Sequence, residues 1–193
     1  MKPALRSLVA IFCIASFALF LLANGALAYQ STAVQPPEVT GLPALRSVGA
    51  ARLTVWGFQF YDARLWAPAE FSADDYARSG FALELTYLRS FDHGSIAERS
   101  IKEMRSIGIM GEPQAAQWLA QMRKIFPDIA KGDRLVGVHK PGEGATFTFN
   151  GKPAGEIRDP EFGRLFFGIW LSPQTSQPQM RRELLGLHNP AKR

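Results

Sequence analysis

The first regular pattern runs from Leu45 to Trp66. Leu53, Val55, Trp56, Phe58, Phe60 and Tyr61 supply β-branched and aromatic side chains, and Gly57 interrupts them. Two strands are predicted, near 45–56 and 58–66, joined as a hairpin or a bulged pair and closed by Pro68. Residues 69–80 read as a polar connection in which Asp74-Asp75 is a solvated turn. Phe81, Leu83, Leu85 and Tyr87 then alternate with Ala82, Glu84 and Thr86, the mark of a half-buried strand. The period next becomes helical. Ser95-Ile96-Ala97-Glu98 has the form of a capping box, and Ala97, Ile101 and Met104 follow at helical spacing up to Gly108. A second helix begins near Pro113, carries Ala115, Leu119, Met122 and Phe126 on one face, and ends at Pro127. Residues 134–140 and 145–150 read as strands around the turn 141–144. Asn150-Gly151 is a strong hairpin signal leading to a returning strand at 152–157. Asp159-Pro160 opens a third helix with a wide apolar stripe (Phe162, Leu165, Phe166, Ile169, Trp170), and residues 176–179 open a short last one that stops at Gly186. Strands, two helices, strands and two helices make an α+β fold, an antiparallel sheet with helices packed on it.

The chain ahead of this has a different character. Residues 29–43, rich in Ser, Thr, Pro and Gln, read as an exposed arm. Residues 1–28 have the order of a secretory signal: Lys2 and Arg6, an apolar run from Leu8 to Leu22 broken only by Ser16, then small residues up to Ala28. The run is about 15 residues, short of the roughly 20 that span a bilayer. Cleavage after Ala28, a secreted, periplasmic location and no stable membrane insertion afterwards are expected. Cys13 lies inside the apolar run rather than at the cleavage point, which argues against a lipid-modified N-terminus.

Composition narrows the chemistry. One cysteine in 193 residues excludes a disulfide scaffold and a Cys-rich zinc module. The net charge is +5, and without Lys2 and Arg6 of the expected leader it is 20 minus 17, or +3, too mild to argue for nucleic acid. There is no G-x-S-x-G elbow, no phosphate-binding G-x-x-x-x-G-K-[ST] and no H-E-x-x-H. His139, one of three histidines, reads as a surface or satisfied group rather than a ligand, and no metal or cofactor is expected.

Two stretches are more specific. One is the run 49–66, with Gly49-Ala50-Ala51-Arg52 followed by an aromatic strand containing Tyr61. The other carries Gly132-Asp133, Asn150-Gly151, Ile169-Trp170-Leu171 and Leu184-Leu185-Gly186 in that order. Together, over about residues 44–186, they resemble the chalcone isomerase-like family in its bacterial secreted branch. The resemblance implies one domain, 44–188, with a tail at 189–193. It implies an open-faced antiparallel sheet with a layer of helices on one face, and a cleft between them for a flat or elongated apolar molecule. Arg52 stands, within one position, where the family has its cleft arginine. A guanidinium there holds a carboxylate or phenolate through a planar fork, and Tyr61 adds a hydroxyl. The family's catalytic branch also has a tyrosine and an asparagine on the first helix after the central strand. Residues 95–107 contain neither. The expected function is therefore non-catalytic binding of a fatty acid or similar amphiphilic or aromatic molecule through Arg52 and Tyr61. The alternatives are an intramolecular lyase of the chalcone-to-flavanone type with Arg52 as electrostatic catalyst, and a structural or partner-binding envelope protein.

Overall fold

A computed structural model describes residues 36, 39, 42 and 44–187. The leader expected at 1–28, most of the arm and the tail at 189–193 lie outside the described residues. Six strands form a single antiparallel sheet in chain order: β1 (Arg46–Val55), β2 (Phe58–Ala67), β3 (Phe81–Tyr87), β4 (Arg134–Lys140), β5 (Gly144–Phe149) and β6 (Lys152–Ile157). Between β3 and β4 run α1 (His93–Ile107) and α2 (Glu112–Ile125); after β6 come α3 (Pro160–Leu171) and α4 (Pro178–Leu184). This is the open-faced α+β arrangement expected from the sequence. The connection 69–80 contains a short 3₁₀ segment, Ala73–Arg78, with Asp74 and Asp75 exposed. Its Tyr76 is buried, and the phenol donates to the Arg164 carbonyl oxygen at 2.9 Å.

The helices cover one face. Ala51 and Leu53 of β1, Ala63 and Leu65 of β2, and Leu83, Leu85 and Tyr87 of β3 point into the same core as Phe162, Phe166 and Phe167 of α3. Asp159 starts α3: its Oδ1 accepts from the N–H groups of Glu161 and Phe162, and its Oδ2 accepts from Trp118 Nε1 at 3.0 Å, which ties α2 to the same corner. At the other end α4 lies directly on β1. A Cβ at Gly49 would stand 2.2 Å from the Glu183 carbonyl oxygen, so only glycine allows this approach.

Two expectations change, and a third, the reading of His139, is narrowed. The capping box at Ser95 is not formed, because Asp92 caps α1 instead. Asp92 Oδ1 accepts from the Ser95 N–H at 2.8 Å, which puts Ser95 inside the first turn, and Glu98 pairs with Arg123. The arm is not wholly exposed. Val39 is buried and Leu42 packs beside it, against Leu45, Trp66, Ala82, Val136 and Val138 on the face away from the helices. The reason is visible in β4, whose Leu135, Val136, Gly137 and Val138 are all buried: a strand apolar on both faces needs cover on both. His139 is a satisfied core group. Its Nδ1 lies 2.8 Å from the Ser79 carbonyl oxygen, and its ring stacks on Phe81 at 4.9 Å.

Candidate functional site

Helix α1 packs on α2 and α3 rather than on the strands. The space left beneath it is a cavity of about 400 Å³. Leu53, Tyr61, Leu85 and Tyr87 form its sheet side; Ile96, Arg99, Ser100 and Glu103 of α1 face them; Phe166, Ile169 and Trp170 of α3 and Met180 of α4 close the rest. Its size and its mostly apolar wall with a few converging polar groups are those of a small-molecule site.

The polar groups meet at one place. Trp170 Nε1 donates to the Tyr61 hydroxyl oxygen at 3.1 Å, which leaves the phenolic hydrogen of Tyr61 free to donate elsewhere. The Tyr87 ring meets that of Tyr61 edge-on, with centroids 5.8 Å apart, and Tyr87 lines the cavity with no hydrogen bond from its hydroxyl to another described residue. Arg99 and Glu103 form an i,i+4 ion pair at 2.6 Å, and the second oxygen of Glu103 accepts from Ser176 Oγ at 2.7 Å. The Glu103 side chain is nearly buried, whereas that of Arg99 is 64% exposed, so the guanidinium stands where the cavity opens.

Burial is the main influence on both phenols. It pushes Tyr61 up to about 12, against the pull of the Trp170 hydrogen bond and the Arg99 charge, with Glu103 adding to the rise. Tyr87 is raised further by burial and by its neighbour Tyr61. Both therefore stay protonated at neutral pH and act as neutral donors, not as bases. Ser100 Oγ donates to the Ile96 carbonyl oxygen within its own helix and is not activated. The arrangement can hold an acceptor head group between two phenols and a cation, with an apolar body behind it.

The two residues singled out from the sequence are not brought together. Tyr61 is in the cavity wall. Arg52 is on the opposite face of the sheet, about half exposed, in a bidentate pair with Asp62 (2.6 and 2.8 Å) and bonded to Gln59 Oε1 at 3.2 Å. The physical reason is strand alternation: Ala51, Leu53 and Val55 face the helices, so Arg52 between them cannot. The cation at the cavity is Arg99, which sequence reasoning missed along with Glu103 and Tyr87. A signal existed. Arg99, Ser100 and Glu103 recur at helical spacing beside the core-facing Ala97, Ile101 and Met104, a polar stripe where a packed helix would carry apolar residues.

Comparison with known proteins agrees with the fold. The chalcone isomerase-like family model matches residues 43–186. An uncharacterized protein of Haemophilus influenzae is 28% identical over 104 residues, 54% of this chain and 50% of that protein. The chain thus spans about half the length of the curated relative it matches. Among solved structures, a fatty-acid binding protein of Arabidopsis thaliana superimposes with a TM-score of 0.58 at 11% identity, covering 74% of this chain and 87% of that one.

Proposed function

This chain belongs to the chalcone isomerase-like family, and we propose that it is a carrier whose cavity holds an amphiphilic molecule such as a fatty acid. The tail lies among Leu53, Leu85, Phe166 and Met180, and the acidic head meets Tyr61, Tyr87 and Arg99 at the opening. The observation that carries this reading is the Tyr87 hydroxyl, which faces the apolar cavity beside Tyr61 with no protein acceptor. A phenol left so is satisfied by a ligand or by water. Each methylene transferred into the cavity adds about 0.8 kcal/mol, which makes the tail the main source of affinity and the head the source of orientation. The lyase alternative with Arg52 as its electrostatic catalyst is disfavoured, because Arg52 is held by Asp62 on the face away from this cavity. Export belongs to the same proposal. Cleavage after Ala28 delivers the carrier to the periplasm, and N-terminal sequencing is expected to read from Tyr29; a chain still beginning at Met1 refutes that part.

The test is titration of delipidated protein with a fluorescent fatty acid. Arg99→Ala/Glu103→Gln, which removes the cation without leaving a buried carboxylate alone, is expected to weaken binding by about 0.5–2 kcal/mol, the ~1.5–3 of a charged hydrogen bond less the ~1 of repulsion that leaves with Glu103. Arg52→Ala is expected to bind as the parent does. No uptake by the parent protein, or equal affinity in the double variant, overturns the reading.

A further inference from the structure

Two hairpins at the same end of the sheet share one turn conformation. Asn150-Gly151 has φ of 48° and 81°, and Trp56-Gly57 has φ of 49° and 81°. Positive φ at both central residues suits the twist of a two-residue hairpin, and asparagine tolerates it. Asn150 is also anchored: its Oδ1 accepts from the Arg134 N–H at 2.8 Å, and its Nδ2 donates to Asp133 at 2.9 Å. Trp56 has neither advantage. A bulky side chain at positive φ is a true outlier, and this one is 94% exposed, whereas the other three tryptophans are buried. Neither the turn nor the core accounts for a tryptophan at this position.

The surroundings point to an occupant. Phe58, just past the turn, is also exposed, and the Arg89 guanidinium lies over its ring at 5.6 Å and over that of Phe60 at 5.1 Å. Val55 and Phe60, which flank the tip, line the cavity. The strand directions bring the end of β3, the start of β4 and the β5–β6 turn to this same end, so exposed Arg89, Lys131 and Lys152 share it with the tip. Asp92, Asp128 and Asp133 lie at this end too and stay ionised, held on their loops by Ser95, by His93, and by Asn150 with the Ala130 N–H, so the cation closest to the tip is Arg89, which lies over Phe58 and Phe60. We infer that the hairpin tip docks on an anionic phospholipid bilayer. Trp56 and Phe58 enter the interface, where amphipathic aromatic rings are favoured. Arg89, Lys131 and Lys152 face the phosphates. Two side chains on a convex turn are too little apolar surface for a stable protein interface, but with three cations they are enough for a reversible membrane contact. The use of this contact, loading or unloading of the cavity, rests on the carrier reading; the contact itself does not.

The test follows the tryptophan emission of the full chain as vesicles of phosphatidylglycerol or of phosphatidylcholine are added. With phosphatidylglycerol a blue shift and protection from iodide are expected, and the shift is expected to vanish in Trp56→Asn. Arg89→Gln is expected to raise the lipid concentration at half-shift about fivefold, the effect of one cation near an anionic surface. An unchanged emission at saturating lipid overturns the inference and leaves the tip to a protein partner. So does a shift that survives Trp56→Asn, or equal midpoints for the two lipids. Fatty-acid uptake measured without vesicles separates failure of this contact from failure of the carrier reading.

Discussion

Replacing Trp56 by asparagine should make the protein more stable, although it deletes the largest side chain type from the fold. The backbone at this position is left-handed, with φ of 49°, and an L-residue with a bulky side chain loses about 1–2 kcal/mol there. Asparagine recovers a large part of that because its short polar side chain tolerates the region. Against this stands the packing that Trp56 gives up. With 94% of its surface exposed, only about 15 Å² of a side chain of ~250 Å² is covered, or roughly 0.4 kcal/mol at ~25 cal/mol per Å². The net gain is about 0.5–1.5 kcal/mol. For a domain of this size that is an increase of roughly 1–6 °C in Tm, and in urea a higher midpoint at unchanged slope. The reciprocal change is a control from the same molecule. Asn150→Trp puts the bulky residue into the same conformation and also breaks the two side-chain bonds to Arg134 and Asp133, so it should destabilise by more than the first change stabilises. A lower urea midpoint for Trp56→Asn refutes the strain argument, and with it the claim that folding alone does not explain this tryptophan.

Two further outcomes follow from packing and titration. Gly49→Ala drives a methyl group against the α4 backbone, which cannot rotate aside as a side chain could, so a loss of about 1–3 kcal/mol or more is expected in urea melts; parent-like stability would mean that α4 does not sit on β1. Burial, only partly opposed by the bond to the Ser79 carbonyl, lowers the pKa of His139 below its usual 6.5, so the unfolded chain binds the extra proton first. Stability is therefore full above about pH 6.5 and falls as the pH drops toward the folded pKa, by up to ~1.4 kcal/mol per pH unit. His139→Gln should flatten that part of the stability–pH curve, and an unchanged slope would refute the assignment.

The order of elements was legible because each rests on local chemistry: alternation in β1 to β3, helical spacing in α1 to α3, Asp159-Pro160 at a helix start and Asn150-Gly151 in a turn. The capping of α1 was misplaced because Asp92 and Ser95 both make good caps and tertiary context chose between them. The site was harder. Alternation alone sets Arg52 on the side opposite Leu53 and Val55, but a family landmark matched within one position carries no such information, since a shift of one residue exchanges the faces of a strand. Asp62, directly across in the β1–β2 register, takes the guanidinium there in a bidentate pair. Arg99 and Glu103 were hidden for a different reason. An i,i+4 pair of opposite charges on a helix ordinarily decorates a solvated face, and the polar stripe beside Ala97, Ile101 and Met104 is a local sign that gains its meaning only once α2 and α3 are seen to hold α1 away from the sheet. Such a gap is a property of the assembled layers.

On the proposed carrier reading, the pairing of Arg99 with Glu103 sets how firmly an acid is held. Glu103 takes one of the guanidinium N–H groups, and its other oxygen is taken by Ser176, so the pair is satisfied before any ligand arrives. An entering carboxylate uses the remaining donors of Arg99 and the two phenols, but it brings a second negative charge beside Glu103. At a separation near 4 Å in a water-like surrounding, as the exposure of Arg99 requires, that repulsion is about 1 kcal/mol. Glu103→Gln keeps a hydrogen-bonding side chain of the same shape and removes the opposing charge. It should therefore tighten the binding of a long-chain carboxylate roughly fivefold, while leaving a long-chain alcohol of the same length unaffected. Equal changes for acid and alcohol in paired titrations would mean that the head group does not lie beside this pair.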